Sequence, residues 1–125
     1  MTKNFSIKEF ECNCGCKMPE KVKDNIEVLA NNLQVLRDYV KAPITLTNAY
    51  RCAKHNKSVG GVPNSKHVNG KAADIKIKGI TPFEVAKTIE LLIYEGKLIQ
   101  GGIGIYNTFT HYDIRGIKSR WDYRK

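Results

Sequence analysis

Val22, Ile26, Leu29, Leu33, Leu36 and Val40 recur at spacings of 4, 3, 4, 3 and 4. That is the apolar stripe of an amphipathic helix running from about residue 20 to residue 40. Pro43 ends it. A stripe that long must be buried, and 125 residues is the size of one domain with one core. The segments downstream supply the partner surface. Ile44-Thr45-Leu46-Thr47 and Ala73-Asp74-Ile75-Lys76-Ile77 alternate as strands do. Thr81-Pro82-Phe83-Glu84 is a capping box with proline at the first helical position. It opens a helix carrying Val85, Ile89 and Leu92, with Gly96 as its stop. Gly101 to Tyr106 is a glycine-rich strand, and Phe109 to Ile114 reads as the last strand. Residues 54–70, rich in Gly, Asn and Ser, read as a long structured loop. The expected fold class is α+β, a small antiparallel sheet with helices packed on one side, in a single domain over residues 1–125.

Composition narrows the function classes. Twenty-one Lys and Arg against 12 Asp and Glu give a net charge of +9, which favours anionic partners such as nucleic acid, acidic cell-wall polymers or membrane surfaces. The basic residues are scattered and form no nucleic-acid motif, so no nucleic-acid partner is expected. No segment approaches the roughly 20 apolar residues of a membrane helix, so no membrane insertion is expected. The polar start, MTKNFSIKEF, has no apolar region of a signal peptide, and synthesis in the cytoplasm is expected. Cys12, Cys14, Cys16 and Cys52 could hold a structural zinc. They lack the usual C-x2-C spacing, and reduced, partly buried thiols are the favoured expectation.

The chemistry lies elsewhere. Of the three histidines, His67 precedes Asp74 by seven residues and His111 falls in the last strand. Alone, each could be a surface or capping residue. Together, a turn at Gly70 could bring His67 onto Asp74, and a neighbouring strand could add His111. Three protein ligands with a fourth position left to water is the pattern of a catalytic zinc. Imidazoles with one carboxylate suit Zn²⁺ better than Ca²⁺ or Mg²⁺.

The stretch Ser65-Lys66-His67-Val68-Asn69-Gly70-Lys71-Ala72-Ala73-Asp74 resembles the SxHxxGxAxD motif of zinc D-Ala-D-Ala carboxypeptidases. That family is related to vancomycin-resistance dipeptidases, phage endolysin peptidases and the hedgehog-like metal fold. Asn48-Ala49-Tyr50-Arg51, His55-Asn56 and Gly60-Gly61-Val62-Pro63-Asn64 are similar to the approach to its first ligand. Gly101 to Tyr106 and Phe109 to Gly116 resemble its closing segment, and Phe10 to Cys16 the start of its short single-domain branch.

The resemblance implies Zn²⁺ on His67, Asp74 and His111. Many members carry an acidic residue three positions before the last histidine, where this chain has Thr108. The short branch has HxD instead, which Asp113 fits. Asp113 projects to the same side as His111 on a strand, as a general base or as a group that orients a ligand; both roles stay open here. Arg51 is implied near the substrate, binding a carboxylate or an oxyanion. Ser65 would touch substrate or hold the loop, and Tyr106 would line the cleft. Tyr112 should point away from His111, and His55 is expected at the rim or in a structural role. The implied substrate is a peptidoglycan stem or cross-link peptide, cut by a bacterial or phage-encoded monomer acting on the cell wall. Carboxypeptidase and endolysin-type endopeptidase both fit. A non-catalytic metal-binding, cell-wall-binding domain is the reading from a different class.

Overall fold

A computed structural model describes residues 1–62 and 64–125; Pro63, within the approach to the first ligand, lies outside the described residues. Helix α1 spans Glu20–Val40, and its stripe is buried from Val22 to Leu36 as the periodicity predicts, with Val40 half-buried at the end. Lys41 closes it in the left-handed region at φ 54°, its N–H donating to the Arg37 carbonyl, and Pro43 blocks continuation. Strand β1 (Ile44–Asn48) follows. A short helix α2 (Ala53–Ser58) then stands where the sequence reads as loop, with Cys52 at its N-cap accepting the His55 N–H. Next come strand β2 (Ala72–Ile77), helix α3 (Pro82–Tyr94) with the Thr81/Glu84 capping box, and strands β3 (Gly102–Ile105) and β4 (Thr110–Asp113). A fifth strand, β5 (Ser119–Asp122), was not expected from the sequence.

The sheet order is β1-β2-β4-β3-β5. The first four strands pair antiparallel, as expected, and β5 joins parallel to β3. Strand alternation splits the sheet into two faces. Ile75, Ile77, Ile103 and Tyr112 share a core with Ile26, Leu29, Leu33 and Leu36 of α1 and Val85, Ile89 and Leu92 of α3. Each such side chain contributes about 1.5–3 kcal/mol on burial. The Tyr112 hydroxyl donates to the Ile99 carbonyl at 2.6 Å, so the ring is anchored on the helix side of the sheet. On the other face one continuous rung of paired residues runs Asn48, Asp74, His111, Gly104, Trp121.

Gly70 is the pivot that carries the chain from His67 back into β2. Its φ is +72°, and a Cβ there would lie 2.8 Å from Val22 Cγ1 and 2.9 Å from the Val22 carbonyl oxygen of α1. Both the backbone conformation and the close approach exclude a side chain. Gly70→Ala should therefore cost about 2 kcal/mol or more, read as a lower urea midpoint. An unchanged midpoint would show that the turn tolerates a side chain.

Candidate metal centre and cleft

Directly opposed residues on paired strands point to the same face, so the Asp74–His111 pairing sets carboxylate beside imidazole. The 65–70 turns bring His67 over them. His67 Nε2 lies 3.3 Å and His111 Nδ1 3.1 Å from the same oxygen, Asp74 Oδ1. The two rings sit edge to face with centroids 5.1 Å apart, and one ligand atom from each of the three residues falls within 4.8 Å of the others. All three residues are buried. The structure thus brings together the three residues that the sequence points to, in a group that could hold a metal ion.

The outer nitrogens decide what the inner ones can do. His67 Nδ1 lies 2.7 Å from the Ala49 carbonyl oxygen, and His111 Nε2 lies 2.7 Å from Asp113 Oδ2. Both partners only accept hydrogen bonds, so each outer nitrogen holds the proton of a neutral imidazole. His67 Nε2 and His111 Nδ1 then turn bare lone pairs towards an Asp74 oxygen that also has no hydrogen. Three convergent donors without a proton between them suit a cation, and two imidazoles with one carboxylate suit Zn²⁺. Burial pushes the Asp74 carboxyl up, but whenever the inner nitrogens carry protons, hydrogen bonds and charge from His111 and His67 outweigh it and hold Asp74 well below the usual carboxylate range. For His111, burial pulls the pKa down, while Asp113 and Asp74 together leave it raised.

Asp113 is fully buried. Oδ1 accepts from the Gly102 N–H at 2.8 Å and from Arg115 N–H and Nε, and Oδ2 accepts from His111 and from Arg115 Nη2 at 2.7 Å. Burial raises its pKa, but these donors, Arg115 first, hold it far below the ordinary range. No lone pair is left to take a proton from water. Asp113 lies on the same side as His111, as the strand alternation predicts, and holds its ring at Nε2.

The three ligands open into a cleft of about 510 Å³, also lined by Arg51, Ser65, Tyr106 and Trp121. Asp74 is the only carboxylate lining it among the described residues. Arg51 Nη2 donates to Ser65 Oγ at 3.3 Å, and its buried Nε has no partner among the described residues. Ser65 Oγ also accepts the His67 N–H at 3.2 Å, so this side chain ties the loop together. Tyr106 stacks on Phe109 and accepts the Trp121 indole N–H at 2.9 Å, which leaves its own proton free for the cleft. Burial holds the Tyr106 phenol above its ordinary pKa. Trp121 lies across Gly104, where a Cβ would collide with the indole, and its ring is 5.0 Å from that of His111. Trp121, Tyr123 and Arg115 were missed by sequence reasoning. Only the Asp113-x-Arg115 spacing hinted at one of them.

The family model described as Peptidase M15 matches residues 3–113. Over 106 residues the chain is 30% identical to the probable peptidoglycan L,D-endopeptidase MepK of Haemophilus influenzae, an alignment covering 79% of this chain and 54% of that protein. The chain spans about half the length of this curated relative.

The buried Asp113 carboxylate carries a pH prediction. Its folded pKa is depressed, so its contribution is present above the unfolded value, near 3.8, and fades as pH falls below it. Asp113→Asn should lower stability at pH 7 by about 3 kcal/mol, because Arg115 and His111 lose a buried charged partner. The gap to the parent should narrow below about pH 4. Denaturant melts across pH measure it, and a gap constant with pH would refute the charge argument.

Proposed function

The chain belongs to the peptidase M15 family, and on that premise we propose that it is a zinc-dependent peptidase hydrolysing a peptide bond in peptidoglycan stem or cross-link peptides. The observation that carries this reading is the convergence of His67 Nε2, His111 Nδ1 and Asp74 Oδ1 at the floor of an open cleft. Bound there, Zn²⁺ would supply Lewis-acid polarisation of the scissile carbonyl and a water of lowered pKa. The chain's own groups divide the remaining work. The Ala49 carbonyl and Asp113 fix the tautomers and tilts of the two histidines. Arg51, which lines the cleft, and Tyr106, with its hydroxyl proton unpaired, can donate to oxygens of the substrate or of the charge that develops on it. Trp121 and Phe109 support Tyr106 and present apolar walls. With Asp113 saturated, the proton of the attacking water has no carboxylate acceptor in the cleft except Asp74 itself, and we assign Asp113 a positioning role.

The relative's printed activity favours an internal cut, as an L,D-endopeptidase. The Arg51 guanidinium lining the cleft favours a second reading, capture of a terminal carboxylate by a carboxypeptidase. Mass spectrometry of peptidoglycan fragments after incubation separates them. Loss of a terminal D-Ala alone indicates the carboxypeptidase, cleaved cross-links or shortened stems the endopeptidase. Either activity should vanish with a zinc chelator, and no cleavage by the zinc-loaded protein would contradict the reading.

His67→Ala should remove both metal at this centre and hydrolysis, and full activity in that variant would end the proposal. Arg51→Lys keeps the charge and loses the planar fork. It should lower kcat/KM by about tenfold or more while leaving metal content unchanged. Unaltered kinetics would show that Arg51 does not touch the substrate.

A further inference from the structure

The four cysteines do not line the cleft among the described residues, yet they converge. Cys12 Sγ lies 3.2 Å from Cys14 Sγ and 3.9 Å from Cys52 Sγ, and the Cys14 and Cys52 sulfurs are 3.5 Å apart. Cys16 completes the group, with all four sulfurs within 4.8 Å of one another. All are free thiols. Four sulfurs at about 2.3 Å around a tetrahedral zinc stand about 3.8 Å apart, and the three measured separations bracket that value. A thiol is a weak donor and a weak acceptor, so mutual S–H contacts give little reason to gather four of them.

The backbone is shaped around the sulfurs. The Cys52 N–H donates to Cys12 Sγ and the His55 N–H to Cys52 Sγ, each at 3.4 Å. Such donors spread the charge of metal-bound thiolates. Gly15 adopts φ +80° and donates its N–H to the Cys12 carbonyl, folding the chain back between the second and third cysteines. Residues 11–19 contain no helix or strand. Just before them the Tyr50 N–H donates to the Phe10 carbonyl, and Cys12 and Met18 bury in the same core as Ala49 and Tyr50.

We propose that Cys12, Cys14, Cys16 and Cys52 bind one structural Zn²⁺ as a closed tetrathiolate site, distinct from the His67–Asp74–His111 centre. The thiols release their protons to water as the ion binds. Every position is filled by protein sulfur, so the site has no place for substrate. It ties the N-terminal segment to the turn from which Arg51 enters the cleft, where the Arg51 N–H also donates to the His67 carbonyl at 3.1 Å. It goes beyond the expectation of reduced, partly buried thiols, and it does not depend on the peptidase reading.

The test is reconstitution of the full chain with Co²⁺ after metal removal under reducing conditions. The parent should take two equivalents and show intense thiolate-to-cobalt charge-transfer bands. The His67→Ala/His111→Ala variant should take one equivalent and keep those bands, which separates this site from the catalytic one. Cys14→Ser/Cys16→Ser should lose them. Should that variant fail to fold, X-ray absorption of the zinc-loaded parent still decides, because a shell of sulfur at about 2.3 Å is required. Absence of the charge-transfer bands in the parent, a zinc shell of nitrogen and oxygen only, or recovery of the cysteines as disulfides from metal-loaded protein would each overturn the proposal.

Discussion

The pairing of Asp74 with His111 across β2 and β4 is the constraint on which the rest depends. A slip of one residue would turn His111 into the helix layer and Tyr112 into the cleft. The core prevents it. Tyr112 is fully buried and bonded to the Ile99 carbonyl, while Ile75 and Ile103 bury on the same face. The apolar register that packs α1 and α3 is therefore the register that aligns the ligands. Gly104, next in the rung, has no side chain and so leaves room for Trp121 beside His111.

Charge is arranged in layers around His111. One edge of the ring meets Asp74 and the other meets Asp113. Two buried carboxylates so close would be costly without compensation. Arg115 neutralises the outer one through a paired contact. Among the described residues the inner one meets only the two imidazoles at Oδ1, and so calls for a cation or for protonation of the histidines. The fold has thus placed the unsatisfied charge at the cleft and satisfied the charge behind it.

Much of this was legible in the sequence, because the signals were local. Helices α1 and α3 announce themselves by period, cap and stop, and β1, β2 and β4 by alternation. Helix α2 was hidden because it has only six residues, sits in a stretch rich in turn formers, and is capped by a cysteine sulfur instead of an oxygen. Strand β5 was hidden because its four residues, Ser119 to Asp122, are mostly polar and pair parallel with a strand distant in sequence. At the site, residue types and spacing pointed to His67, Asp74 and His111. The Ala49 carbonyl that fixes the His67 tautomer carries no side-chain signal at all. The proposed positioning role of Asp113 rests on Arg115 and Gly102, whose hydrogen bonds only the folded chain displays. The cysteines were ambiguous because Cys52 is 40 residues from Cys12, and only the fold brings the two together.

On the proposed reading, the outer hydrogen bonds dictate which nitrogens would face the ion. Anomalous X-ray scattering at the zinc edge, from crystals of the zinc-loaded chain, is the decisive measurement. A peak bound by His67 Nε2, His111 Nδ1 and an Asp74 oxygen is expected, with Asp113 still on His111 Nε2. A metal bound through His111 Nε2 or by Asp113, or no peak at this position, would contradict it.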